Sequence, residues 1–231
     1  MGQLLKQKKG QFVIIAILLI AIMIISTGAL MHRFVTYYAH EPWEEYLTLI
    51  SNIELNSRRV VELSLANYTQ TGNDEILEQN LALWQLHLNQ IYLDRQMNLQ
   101  YDMPVAQGLT CDWNKSTSFS RAIVDFNLDI ASIGLSGYKY NVTTLLKVKI
   151  INRAANELNV TITRENNMPI TDLSEDNFKI EKPTGINITR VSYIYDDNNG
   201  FIYRIICSTS LTTPTTLLVC DNRGIIVRAI L

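Results

Sequence analysis

The sequence predicts a membrane-anchored α+β protein: an N-terminal transmembrane helix, a helical hairpin stalk, then a C-terminal antiparallel β-sandwich. Three observations predict it. An uncharged apolar run extends from Phe12 to Met31, apolar residues at helical spacing occupy the middle of the chain, and strict alternation takes over near Leu146. A hydrophobic period of 3.6 marks helix and a period of 2 marks strand.

Residues 12–31 read FVIIAILLIAIMIISTGALM, with no charge and no proline. A helix of that length rises about 30 Å, the thickness of the hydrocarbon core of a bilayer. Each Ile, Leu, Val and Phe in it favours insertion by about 0.3–0.6 kcal/mol. Lys6, Lys8 and Lys9 precede the run, whereas only His32 and Arg33 follow it closely. The positive-inside rule therefore predicts a cytoplasmic leader over 1–11 and an extracytoplasmic remainder. The lipid bilayer is the first partner, and the location is the cell membrane, crossed once. Ser26-Thr27-Gly28-Ala29 is only a fair secretory cleavage site, and the apolar stretch exceeds a usual signal core, so an anchor is expected.

Residues 32–99 are expected to form an extracytoplasmic helical hairpin. Leu77, Leu81, Trp84, Leu88 and Ile91 follow a 4-3-4-3 spacing that lines one helix face. Trp43, Leu47, Ile50, Val60, Val61 and Leu65 give a less regular helix before it. Gly72 suits a helix C-terminus, and Asn73 or Asp74 can cap the next helix. Pro42 fits either a kink or the first turn of a new helix. The apolar stripe fits packing between the two helices and the β domain better than a partner-helix surface.

Residues 100–120, polar and holding Pro104 and Gly108, are expected to be a linker loop. The β-sandwich is expected over 121–231. Leu146, Val148 and Ile150 alternate with Lys147 and Lys149; Leu158, Val160 and Ile162 alternate with Asn159, Thr161 and Thr163. Such alternation buries one face of a strand. Asp196-Asp197-Asn198-Asn199-Gly200 is a hairpin turn signal. Thr213-Pro214 and Asp221-Asn222-Arg223-Gly224 divide the remaining strands, so the tail reads as a meander of hairpins, and a sandwich buries two sheet faces most economically.

Few residues carry chemistry. A net charge of −2 with mixed signs argues against a nucleic-acid partner. His32, His40 and His87 lack metal-ligand spacing, and no Cys/His pair with nucleophile spacing is visible. No cofactor is expected. Cys207 and Cys220 lie equally far from Thr213-Pro214, which makes them cross-strand neighbours if a hairpin closes there: either a disulfide in an oxidising exterior or two small buried thiols. Cys111 would be unpaired. Sequons start at Asn67, Asn114, Asn141, Asn159 and Asn187, candidates for N-glycosylation on an outer surface. For Asn159 and Asn187 the polar face of a strand also generates Asn-x-Thr without any modification. The acidic turn at 196–199 has oxygen ligands for calcium but not the spacing of a dedicated loop, so a solvated turn is expected.

Two resemblances add to this. Lys8-Lys9-Gly10-Gln11, directly before the apolar run, resembles the class III signal of archaeal type IV pilins and related pilin-like surface proteins. It implies cleavage by a prepilin peptidase between Gly10 and Gln11, leaving the apolar helix on the mature chain. Gln11 and Leu19 match the Gln-x-Ser-x-Glu-x-x-x-Leu start of many archaeal pilins. Val13 and Ile15 stand in place of its Ser and Glu; that Glu is linked to subunit docking, so the departure bears on assembly more than on processing. An ordinary signal anchor is the other reading. The stretch from Asn159 through Pro169, Ile170 and Leu173 to Asn177-Phe178 resembles the strand–turn–strand of bacterial and archaeal immunoglobulin-like (Ig-like) extracellular domains. It implies that Pro169 opens a strand and that Leu173 and Phe178 enter the core. The function expected is a non-enzymatic, pilin-like structural or adhesion subunit, with copies of itself or other pilin-like subunits as partners. The alternative is an anchored module that binds a ligand or partner and has no filament role.

Overall fold

The computed structural model describes residues 17–33, 43–104, 108–196, 200–212 and 214–230. The chain divides into two compact units, Met1–Ser51 and Asn52–Leu231.

In the first unit, residues 17–33 form helix α1. Consecutive helical residues point about 100° apart, and Ile17, Leu18, Leu19 and Ile20 are each 57–61 % exposed. The helix is thus apolar around its whole circumference. Ser26 and Thr27 donate their hydroxyls to the Met23 carbonyl at 3.0 and 2.7 Å. Among the described residues, no helix is long and apolar enough to cross a membrane. As described, α1 rises about 25 Å; the start of the 12–31 run, the lysines before it, and Gly10 and Gln11 lie outside the described residues.

The second unit is an α+β fold. Helix α2 (Trp43–Thr71) enters it at Asn52. Gly72, at φ +75°, ends the helix with its N–H on the Tyr68 carbonyl at 2.8 Å. Asn73 then accepts the Glu75 N–H at 3.2 Å, just ahead of helix α3 (Ile76–Ile91). Leu77, Leu81 and Leu88 of the predicted stripe are buried; Ile91, at the last turn, is 64 % exposed and leaves the stripe.

All strand pairings are antiparallel. Strands β1 (Met97–Asp102) and β2 (Leu109–Asp112) lie end to end along one edge of β3 (Thr117–Ile130), pairing with Asp125–Ile130 and Phe119–Ala122 respectively. Next across the sheet come β4 (Leu135–Ala154) and β5 (Glu157–Thr163). A second sheet begins with β6 (Phe178–Lys182), while β7 (Ile188–Asp196) and β8 (Gly200–Cys207) complete the first, giving the order β1-β3-β4-β5-β8-β7. Strands β9 (Thr216–Cys220) and β10 (Ile226–Ile230) complete the small sheet in the order β10-β9-β6.

Two expectations need correction. Residues 100–120 are not a linker: they hold the end of β1, all of β2 and the start of β3. The polar residues of β1 and β2 suit strands on a sheet edge, where one face stays wet, whereas Ser118 and Ser120 of β3 are buried and donate their hydroxyls to the Lys115 and Ile226 carbonyls. The segment after Cys207 is not a hairpin either, because β8 belongs to the large sheet and β9 to the small one. The chain crosses between sheets there.

One face of β3 buries Ser118, Ser120, Ala122, Val124, Phe126 and Leu128. At its small end β10 comes against β3 and β4, and the Ser120 hydroxyl donates to the Ile226 carbonyl at 2.7 Å. At its large end Phe126 stacks on Tyr140 at 5.0 Å, and the Tyr140 hydroxyl lies 2.9 Å from Ser57 of α2. The layer against the large sheet is therefore part sheet and part helix. The helical hairpin shares this core rather than standing apart as a stalk.

Candidate functional site

The densest polar cluster forms around Arg223, where four distant segments meet. Its position is set by the β9–β10 turn. Asp221 Oδ1 accepts the N–H groups of Arg223 and Ile225, both at 3.0 Å, and Gly224 completes the turn at φ +82°, as Asp does when its carboxylate mimics a turn carbonyl. The end of α2 holds this turn: Gln70 donates to the Gly224 carbonyl at 2.9 Å, and Thr69 accepts the Ile226 N–H at 3.1 Å.

The Arg223 guanidinium then contacts Asp221 and Glu165, each at 2.7 Å, and lies 3.9 Å from Glu62 of α2. It also donates to the Leu145 carbonyl of β4 at 3.0 Å. Glu165 comes from the turn after β5, where Asn166 and Asn167 take left-handed φ of +58° and +56°, a conformation Asn tolerates. A bridge between Thr163 and Pro169 closes that turn. Glu165 accepts the Leu145 N–H at 2.7 Å.

The charges divide unequally. Burial pushes the Glu62 carboxyl above its ordinary value, more than Arg223 lowers it. Burial acts the same way on Glu165, but the Leu145 N–H and Arg223 outweigh it and hold that carboxyl low. Burial disfavours the charged Arg223, yet its carboxylate neighbours hold the proton more tightly still. Beside the cluster is a cavity of about 630 Å³, lined by Arg58, Glu62, Asn141, Thr143, Arg164 and Glu165 among others. The sequence marks Asp221–Gly224 only as a turn; nothing local to Glu62 or Glu165 signals that they converge on it.

A second, uncharged network ties α2 and α3 to the sheet. The Ser57 hydroxyl receives the Trp84 Nε1–H at 3.0 Å and bonds Tyr140. Burial pushes the Tyr140 phenol up to about 12, although its hydrogen bond to Ser57 acts in the opposite direction. Nearby, the Tyr138 hydroxyl donates to Glu54 at 2.6 Å.

The three cysteines are free: Cys207 is buried, Cys111 and Cys220 half-buried. Cys207 and Cys220 lie on strands of different sheets, so the hairpin that would make them cross-strand neighbours does not form, and both are free thiols. Burial raises all three thiols. Asn67, Asn114, Asn141 and Asn187 are exposed. The Asn141 amide is engaged, donating to Asp125 at 2.6 Å and accepting from Thr143 at 2.8 Å. Asn159 is half-buried within β5, its Oδ1 enclosed without a partner among the described residues. Asn187 stands directly before β7, its carbonyl accepting the Ser208 N–H at 2.8 Å, and both it and Thr189 are exposed. Residues 197–199 of the acidic turn, His40, Thr213 and the Gly10–Gln11 junction lie outside the described residues. Among the described residues, no group of three or more His, Cys, Asp or Glu is gathered as metal ligands would be.

Comparison with protein-family models, with curated proteins and with solved structures finds no match.

Proposed function

We propose that the protein is a non-enzymatic, membrane-anchored cell-surface protein, a pilin-like structural or adhesion subunit whose N-terminal helix holds an extracytoplasmic α+β head. The exposure of apolar side chains on every side of α1 carries this reading. A helix apolar all round requires an apolar environment, either lipid or copies of itself. The back-bonded hydroxyls of Ser26 and Thr27 support it, since each is paired within the helix itself. The proposal takes the spanning segment to be Phe12–Met31, longer than α1 as described. An Ig-like sandwich as the ancestry of the head is supported by buried Leu173 and Phe178 and by the crossing from β5 in one sheet to β6 in the other, although Pro169 forms only an isolated bridge with Thr163 and opens no strand.

The test is alkaline extraction of membranes followed by mass spectrometry of the native N-terminus. Retention in the membrane and a chain starting at Gln11 are expected. Release into the soluble fraction would sink the anchor. An intact Met1 would remove the pilin-like reading and leave the anchor. Filaments in a shear fraction then separate a polymerising subunit from a solitary one.

One observation favours the second reading, an anchored partner-binding module: part of β4 has an unpaired edge beside the Arg223 cavity.

A further inference from the structure

Strand β4 pairs with β3 from Leu135 to Lys149, but with β5 only from Lys147 to Ala154. Its edge from Lys139 to Leu145 therefore has no strand beside it. The backbone direction there follows from three contacts. The Leu145 N–H goes to Glu165 and its carbonyl to Arg223, away from β3. The Ile150 N–H goes to the Ser116 carbonyl, on the β3 side. In a strand, backbone groups alternate sides, so Lys139, Asn141 and Thr143 also aim their N–H and C=O groups into the gap. Among the described residues nothing bonds those groups. The protein closes the ladder with side chains at Leu145 and leaves the next three outward positions open.

The gap is a groove. The cavity of about 630 Å³ runs along the Asn141–Leu145 part of this edge and is lined also by Arg58 and Glu62 of α2 and by Arg164 and Glu165 of the turn after β5. Glu62 and Glu165 are turned onto Arg223. Arg58 and Arg164 are exposed and form no salt bridge among the described residues.

We propose that this open edge is an acceptor for an extended, carboxylate-bearing segment of another protein, which adds a strand in line with β5. Main-chain pairing supplies affinity in such strand addition, and side-chain partners supply the choice. The open stretch Lys139–Thr143 spans about 13 Å, enough for a short strand. The two exposed guanidinium groups, of which Arg58 also faces Glu62, favour carboxylates, which they can grip in bidentate fashion. A second copy of this chain is a poorer fit. Of its described edges, the open part of β4 carries only Lys139, β6 and β10 carry net positive charge, β7 carries one Arg and one Asp, and β1 and β2 carry one Asp each.

The test uses the full chain in detergent micelles and a fluorescent Val-Glu-Val-Glu-Val-Glu-Val peptide. Two controls replace Glu by Lys or N-methylate alternate backbone amides. Fluorescence anisotropy and amide hydrogen exchange are followed together. The Glu peptide is expected to bind, the two controls are not, and exchange at Lys139, Asn141 and Thr143 should slow about ten-fold. The Arg58→Glu, Arg164→Glu double variant should prefer the Lys peptide. The proposal is overturned if no peptide binds, if the N-methylated peptide binds equally, or if protection appears elsewhere. It is equally overturned if the three amides become protected with rising protein concentration and no peptide, since the occupant would then be a second copy.

Discussion

Two polar networks fasten helix α2 to the large sheet, and they use opposite chemistry. At Arg223, one guanidinium serves three carboxylates and a carbonyl. At Ser57, one hydroxyl serves an indole and a phenol with no charge among them. The charged network holds four segments through a single group, so it is strong, dependent on pH and vulnerable at one position. The neutral network holds less and should be indifferent to pH. Breaking each in turn measures that difference.

Arg223→Met should have the largest effect. It leaves Asp221, 3 % exposed, and Glu165 without their cation. Removing one partner of a buried charge pair costs about 3–5 kcal/mol, which urea denaturation of the variant would read as a lowered midpoint. A loss below about 1 kcal/mol would mean that water reaches the cluster and that it clamps nothing.

That cluster also marks where the sequence stops being legible. The stripe Leu77, Leu81 and Leu88, the helix end at Gly72 and the alternation Leu158–Val160–Ile162 could all be read, because each is a local pattern whose period equals that of its own element. The pairing of Asp196 with Gly200 around the expected turn is of the same kind. Residues 100–120 read as a linker because β1 and β2 are short edge strands with one wet face, as Gln100 and Asp102 show, and because β3 begins with the buried polar Ser118 and Ser120 where apolar residues would signal a strand. The equal spacing of Cys207 and Cys220 about Pro214 suggested a hairpin, but spacing cannot tell which sheet a strand joins. Glu62, Glu165 and Arg223 come from three separate elements, and no periodicity links them.

Glu165→Gln comes next, at about 2–3 kcal/mol, the scale of hydrogen bonds to a charged group. Its pH dependence has a definite sign. Because the folded carboxyl titrates below its ordinary value, its stabilisation is whole above the ordinary value and is lost as pH falls through the depressed one. Wild type and variant should therefore converge in stability on acidification. A gap that persists unchanged at low pH would assign the effect to packing instead.

Ser57→Ala should cost about 2 kcal/mol by leaving the Trp84 N–H and the Tyr140 hydroxyl without their shared partner. Because the Tyr140 phenol is pushed up to about 12, it stays neutral from acid through mildly alkaline pH. The cost should be flat across that range, in contrast to Glu165→Gln. A slope in the Ser57→Ala difference would place a charge in this network and collapse the distinction between the two.

Glu62→Gln is the smallest change and the sharpest probe of the charged network. Glu62 shares Arg223 with two closer carboxylates, and burial raises its carboxyl above the ordinary value. A raised folded value means that the folded state takes up the proton first, so ionised Glu62 costs stability at neutral pH and that cost disappears as pH falls through the raised value. The substitution should therefore stabilise slightly at pH 7, by at most about 1 kcal/mol, and do nothing in acid. Its sign is opposite to that of Glu165→Gln although both carboxylates face the same guanidinium. Thermal melts of the two variants at pH 7 and pH 4 test this directly: if both destabilise at pH 7, Arg223 holds its carboxylates as equals, and the unequal division of charge within the cluster is wrong.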